Sequence, residues 1–248
     1  MRYWLVMPAA GASHRFGGTT AKQFMLLDGR SVLEIALEPF VHDARCQGIA
    51  VAVAAVAGSA SAAPSTEHNS ELLRRLPKKV QTVVGGARRS DSVLRGLVAL
   101  EGLAGSGDWI LVHDAARPCL SGRDLERLLV SSIAYPEGAL LASPVADTLK
   151  SADEKGCATS TIDRSALWQA LTPQMFPYRA LRAAIELAHA AGRTPTDEAQ
   201  AMEWQGVRPA LIAALDSNLK ITQREDLAVA VAVLAQRVAQ RQVGSPCE

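Results

Sequence analysis

Along this chain, short apolar runs alternate with longer segments whose apolar residues recur at helical spacing. "YWLVM" is followed by "SVLEIALEPFV", "GIAVAVAAV" by "SELLRRL", "VQTVV" by "SDSVLRGLVALEGL", "WILVHD" by "GRDLERLLVSSI", and the series closes on "GALLASPV". Strand, helix and next strand make the βαβ unit, and a succession of such units predicts an α/β fold on a Rossmann-like, doubly wound, mostly parallel sheet. Each crossover is expected to be right-handed. In sheets of this kind ligands bind beyond the carboxyl ends of the strands, so the residues directly after each apolar run are the candidates for chemistry.

The alternation stops after Val145. Residues 146–172, "ADTLKSADEKGCATSTIDRSALWQALT", have polar, β-compatible pieces around a "DEKG" turn and no helical stripe, which predicts a protruding β-arm. Two helical segments follow, "YRALRAAIELAHAAG" and "TDEAQAMEWQG", then a strand "PALIAAL" and a last helix "REDLAVAVAVLAQRVAQR". The 248 residues read as a single domain, 1–248, with the arm at about 146–172. "GSASAAPSTEHNS", 58–70, reads as a surface loop.

Charge excludes several partners. With 26 Lys and Arg against 25 Asp and Glu, the formal charge is +1, so no broad basic surface is available for nucleic acid or lipid headgroups, and any anion site is local. The longest apolar stretches, Ile49 to Ala57 and Leu227 to Ala235, are about half the length of a membrane span. Cys46, Cys119, Cys157 and Cys247 are far apart with no CxxC pair, which predicts reduced thiols rather than a zinc site. No charged-then-apolar leader precedes the first strand, so a cytoplasmic location is expected.

Three loops and a set of late residues carry the candidate chemistry. "PAAGASHRFGGTTAKQF", 8–24, is neither a Walker A loop nor GxGxxG, yet its small residues allow backbone N–H groups to approach a phosphate, and Arg15 and Lys22 add charge that amides lack. A surface loop with incidental basic residues is the alternative. "VVGGARRSDSV", 83–93, is either a plain strand-turn-helix connection capped by Ser90 or Ser92, or a backbone cradle for a base edge with Ser92 adding a hydrogen bond. In "ILVHDAARP", 110–118, Asp114 stands where such a sheet presents ligand groups, to a sugar hydroxyl or Mg²⁺; Arg117 is alternatively its structural ion-pair partner. His113 and His14 are not expected to be catalysts. Arg164, Thr172, Thr196 and Lys220 are late hydroxyls and cations, with Thr196 a candidate N-cap before "DEAQ".

Taken in order, "PAAGASHRF", "AKQF", "GGARRSDSV", "VHDAARP", "PVADTLK", "TIDRSALWQALTPQMF", "PTDEAQAME" and "SNLKIT" resemble the 2-C-methyl-D-erythritol 4-phosphate cytidylyltransferases of the non-mevalonate isoprenoid pathway, from the first strand to the last helix. The resemblance implies the nucleotide-diphospho-sugar transferase type of fold and transfer of CMP from CTP to methylerythritol phosphate, with Mg²⁺ or another divalent cation. It implies that Arg15 and Lys22 grip the triphosphate and stabilise charge at the α-phosphorus, and that Ala9, Ala10, Gly11, Gly86, Ala87 and Ser92 recognise cytosine. It puts Asp114 and Arg117 in the ribose, metal and sugar-phosphate region, and Thr148, Arg164, Thr172, Thr196 and Lys220 on the acceptor side. It also implies a homodimer in which each arm enters the neighbouring subunit. The chain departs from the family pattern at Ser13 and His14, where a second Gly and a basic residue are usual, and at Ala21, where Pro is usual. The alternatives are a cytidylyltransferase for another sugar-alcohol phosphate such as ribitol 5-phosphate, a nucleotide-binding module without chemistry, and a structural dimer module.

Overall fold

In the computed structural model, which describes residues 1–11, 16, 21–54 and 80–243, "YWLVMPA" forms strand β1 (Tyr3–Ala9). Its alternate side chains go to opposite faces: Tyr3, Leu5, Met7 and Ala9 enter one apolar cluster and Val6 another. Strands β4 (Cys46–Val53), β5 (Val80–Val84), β6 (Trp109–Val112), β7 (Ala139–Pro144), β10 (Trp168–Pro177) and β11 (Ala210–Ala213) complete a seven-stranded sheet in the order β11-β7-β10-β6-β1-β4-β5. Two short strands, β2 (Leu26–Leu27) and β3 (Arg30–Ser31), make a hairpin whose Asp28 and Gly29 both have positive φ, 48° and 81°, as a two-residue turn requires.

Both faces of the sheet are covered by helices. Leu33, Leu37 and Phe40 of the Val32–Val41 helix and Leu125, Leu128 and Leu129 of the Gly122–Ser131 helix pack on one face. Val93 and Leu97 of the Arg89–Ala99 helix, Leu181 and Ile185 of Tyr178–Ala190, and Met202 of Glu198–Glu203 pack on the other. A third cluster joins Phe16, Leu27 and Ile35 to Ile221 and Ala230, the latter from the final helix, Asp226–Val243. No helix among the described residues is long and apolar enough to cross a membrane.

The chain runs outward from β1 to β4 and β5, then returns to place β6 on the other side of β1, all in parallel. The strand order reverses there, and the carboxyl ends of β1 and β6 open a crevice of the kind that takes ligands in doubly wound sheets.

One expectation needs correction. Residues 168–172 are not part of the arm: they begin β10, which lies antiparallel between β6 and β7 in the middle of the sheet. Pro173 argues against a central strand by sequence, but a register shift between Ala170 and Gln174 accommodates it. The separate two-stranded piece is shorter, β8 (Leu149–Ala152) with β9 (Ala158–Ile162), and every residue of β9 is exposed. The expected helix "SELLRRL" and the 58–70 loop lie outside the described residues.

Gly96 shows how tightly the Arg89–Ala99 helix sits on the sheet. A Cβ there would stand 2.5 Å from Cγ1 of fully buried Val6. Gly96→Ala is therefore expected to destabilise the fold by about 1–2 kcal/mol despite alanine's better helix propensity, because overpacking a β-branched neighbour outweighs it. Urea denaturation measures this, and a more stable variant would show that the contact yields.

Candidate functional site

A cleft of about 550 Å³ lies at the switch point. Ala9, Ala10 and Gly11 from the end of β1, Lys22 and Gln23, Gly86 to Arg89, Ser92, Asp114 and Lys220 line it. It thus joins most of the positions that the sequence singles out, from five separate stretches of chain.

The glycine loop after β5 is shaped by close approach. A Cβ on Gly85 would collide with that of Ala10, and one on Gly86 with that of Asp91. Glycine at 85 lets the loop lie against the end of β1, and glycine at 86 lets it pass close to Asp91 of the following helix. Gly85 N donates to Val53 O at 2.7 Å, Gly86 N to Ser92 Oγ at 3.0 Å, and Arg95 donates to the Val84 and Gly85 carbonyls at 3.1 and 2.8 Å. Ser92 lines the pocket and braces the loop from a buried position, and it is not the helix cap. The N-cap is Arg88, whose N–H donates to Asp91 Oδ2 at 3.1 Å. At Gly11 nothing among the described residues lies within 4 Å of where a Cβ would stand and its φ is not in the left-handed region, so its small size leaves room in the pocket rather than relieving strain.

Gln23, to which no motif in the sequence pointed, is tied to the end of β1. Its buried Nε2 donates to Ala9 O at 2.7 Å and Gly11 O at 3.4 Å. Lys22 begins the same short 3₁₀ turn, Lys22–Phe24. Arg15, with Ser13 and His14, lies outside the described residues. Ala21 has φ −65° and ψ 141°, the conformation that a proline ring imposes. Ala21→Pro is accordingly expected to raise stability by about 0.4–1 kcal/mol, visible as a higher Tm; a lower one would mean that the backbone before it resists the ring.

Asp114 is the centre of the charge arrangement. Its Oδ2 is 2.7 Å from Lys220 Nζ and 3.6 Å from Arg117 Nε, and its Oδ1 accepts from Arg89 Nε at 3.0 Å. Arg89 in turn donates to both oxygens of Glu198, at 2.6 and 3.1 Å. Burial opposes ionisation of Asp114, but the Arg89 and Lys220 charges override it and hold its carboxyl far below the usual carboxylate range. Glu198 is shifted the other way, upward, because burial dominates there and Arg89 offsets only part of it. Arg89 and Glu198 were not among the residues expected from sequence, although two arginines at a helix N-terminus were a visible irregularity.

Behind Asp114 lies a buried polar frame. Thr172 Oγ1 accepts from Asp114 N at 3.1 Å and sits 3.0 Å from His113 Nδ1, while His113 Nε2 is 3.0 Å from Arg117 O. A carbonyl only accepts, so Nε2 carries the proton and Nδ1 accepts from the Thr172 hydroxyl. Arg117 Nη1 donates to Asn218 O at 2.6 Å, and Asn218 Nδ2 to Thr172 O at 2.6 Å. Arg117 and Thr172 therefore support the site from below and do not line it. Thr148, Arg164 and Thr196 do not line it either: Thr148 and Thr196 are exposed, Arg164 donates to Val145 O at 3.5 Å, and the N-cap expected at Thr196 is Asp197.

Burial lowers the His113 pKa from 6.5 to about 4. Between those values the unfolded chain binds a proton that the folded one does not, so stability falls as pH drops from about 6.5 toward 4, by roughly 3 kcal/mol over the interval. His113→Gln is expected to flatten that dependence. Equal slopes of unfolding free energy against pH in both proteins would show that the ring is protonated in the fold.

The chain is similar over its length to known proteins. It is 49% identical over 239 residues to the 2-C-methyl-D-erythritol 4-phosphate cytidylyltransferase of Acidithiobacillus ferrooxidans, covering 95% of this chain and 98% of the relative. Against that of Halorhodospira halophila it is 48% identical over 243 residues, 96% of each chain. A crystal structure of a 4-diphosphocytidyl-2C-methyl-D-erythritol synthase superposes with a TM-score of 0.76 at 35% identity, covering 94% of this chain and 99% of the other. That of the Francisella tularensis 2-C-methyl-D-erythritol 4-phosphate cytidylyltransferase gives 0.78 at 26% identity, covering 94% and 100%. Residues 3–236 match the family model for 2-C-methyl-D-erythritol 4-phosphate cytidylyltransferase, and with relatives so similar over nearly all of its length the chain belongs to that family.

Proposed function

We propose that this protein transfers the cytidylyl group of CTP to the phosphate of 2-C-methyl-D-erythritol 4-phosphate and releases pyrophosphate. The observation that carries the reading is the meeting of Lys22, Lys220 and Asp114 in one pocket walled by close-packed glycine loops at the strand ends. Two anions must approach each other there, the acceptor phosphomonoester carrying about two negative charges near neutrality. Repulsion is the obstacle, and cations held in advance where charge grows lower it most.

An acceptor phosphate oxygen attacks the α-phosphorus, the bond to the oxygen bridging to the β-phosphate breaks, and pyrophosphate leaves with the electron pair. Lys22 and Arg15 stabilise charge at the transferring group, and Lys220 and Arg164 align the attacker. The attacking oxygen is already deprotonated, so no general base is needed. His113 fits that account, since both ring nitrogens are engaged and burial keeps it neutral. Ala9, Ala10, Gly11, Gly86 and Ala87 offer backbone groups to the base, with Ser92 holding Gly86 in place.

A divalent cation such as Mg²⁺ fits the donor set as an ion carried chiefly by substrate phosphates. Asp114 is the one carboxylate among the described residues lining the pocket, its oxygens keep lone pairs beyond those taken by Arg89 and Lys220, and no cluster of three or more metal-binding side chains occurs among the described residues. When bound, the ion neutralises charge on the triphosphate.

The exposed Ile162, Leu167 and Trp168 fit a homodimer in which the β8–β9 piece meets a second copy and brings Thr148 and Arg164 to its pocket. Sedimentation equilibrium checks this; a monomer with full turnover rejects it.

Pyrophosphate release with each of the four nucleoside triphosphates, with and without methylerythritol phosphate or ribitol 5-phosphate, tests the activity. Release is expected with CTP and methylerythritol phosphate together and to cease on chelation of divalent ions. Preference for ribitol 5-phosphate, or CTP binding without release, overturns the reading.

A further inference from the structure

Arg88 and Arg89 stand at the N-terminal end of the Arg89–Ala99 helix, where the helix dipole disfavours cations by about 0.3–1 kcal/mol each. A local rule broken at two adjacent positions marks a demand from elsewhere in the fold. Arg88 is compensated locally, its guanidinium pairing with Asp91 at 2.8 Å while Nη1 also donates to Thr194 Oγ1 at 2.7 Å, whereas Arg89 crosses to a distant segment and grips both oxygens of Glu198, at 2.6 and 3.1 Å. That fork leaves Arg89 Nε for Asp114 Oδ1 at 3.0 Å, while Asp114 Oδ2 meets Lys220 at 2.7 Å. Glu198 and Asp114 are buried, 2% and 6% exposed, so the line Glu198, Arg89, Asp114, Lys220 has its two carboxylates held away from water, while Arg89 and Lys220 reach the partly open pocket.

We propose that Arg89, locked by Glu198, is a positioning residue that holds Asp114 in the orientation from which Asp114 aims Lys220 at the acceptor phosphate. This rests on the cytidylyl-transfer reading and deepens it. A planar guanidinium can serve one carboxylate through its fork and another through Nε at fixed geometry; an ammonium offers no such frame. Released from Arg89, Asp114 would turn toward Arg117, already 3.6 Å away, and Lys220 would move with it or lose its anchor. The groups offered to the base are backbone groups of the glycine loops and would stay in place, so CTP binding would change less than acceptor binding.

Arg89→Lys and Glu198→Gln, each alone, and Arg89→Lys combined with Lys220→Ala test this by steady-state kinetics alongside thermal unfolding. Both single variants are expected to raise KM for methylerythritol phosphate about tenfold or more while changing KM for CTP less than about threefold. In the Lys220→Ala background, Arg89→Lys is expected to add less than about twofold, since the two act in series. A merely structural Arg89 would lower Tm and the active fraction and leave both KM values alone, and that result in both single variants overturns the proposal. So does a full multiplicative effect in the Lys220→Ala background. If Arg89→Lys does not fold, Glu198→Gln decides by the same KM split. Wild-type protein without turnover on this substrate pair overturns the activity itself and this role with it, whereas active wild type with an unmoved acceptor KM in the variants overturns the positioning role alone.

Discussion

Lys22→Ala is expected to lower kcat by roughly two to four orders of magnitude, as loss of a preorganised transition-state donor does, while affecting CTP binding much less. The argument is one of placement. Lys22 opens a short turn whose next residue, Gln23, is bonded to the carbonyls of Ala9 and Gly11, so the backbone carrying the ammonium is tied to the end of β1. A cation held this way requires no reorganisation when negative charge grows on the transferring phosphorus group. Its contribution is therefore greater in the transition state than in the CTP complex, and kcat rather than KM should carry the loss. Single-turnover pyrophosphate release gives the number; near-normal turnover would reject this role for Lys22.

The second large effect is expected at Asp114. Asp114→Asn keeps the size of the side chain and removes the charge that Arg89, Arg117 and Lys220 share. Breaking a buried ion pair from one side costs about 3–5 kcal/mol, because the partner charges are left uncompensated. Part of that is recovered here, since Lys220 is partly exposed and can turn to water, so a loss of about 3 kcal/mol is expected from urea denaturation. Activity per folded molecule should fall as well, by about a hundredfold or more, because Lys220 loses its anchor. Wild-type stability in Asp114→Asn would mean that the three cations do not depend on this carboxylate.

Much of the framework was legible in the sequence because it follows from local periodicity. "VQTVV" is strand β5 residue for residue, and the runs around Tyr3, Ile49, Trp109 and Ala139 all became parallel strands, since alternate burial on two helix-covered faces needs continuous apolar stretches. β10 was not legible: "LTPQMFP" carries two prolines and a glutamine, and only a shifted register and neighbours on both sides make it a central strand. In the site, Ala9 to Gly11, Lys22, Gly86, Ala87, Asp114 and Lys220 stand in one pocket as their positions after strands suggested. Thr172 does not line the pocket and holds Asp114 N, while Ser92 lines it and holds Gly86 N as well, because a hydroxyl's partner is set by what lies within about 3 Å and not by its place in a motif.

By itself the sequence determined the parallel strands and the helices that follow them, which loops end at the carboxyl edge of the sheet, and, through the ordered set of motifs, the family. Only the tertiary structure decided that β10 runs antiparallel between β6 and β7, that Arg89 reaches both Asp114 and Glu198, and that Arg117 faces the interior rather than the cleft. The physical reason is range. Periodicity and turn chemistry act over a few neighbouring residues and leave their mark in the local string, whereas a carboxylate shared by cations 25 and 106 positions away exists only once the sheet has brought them together.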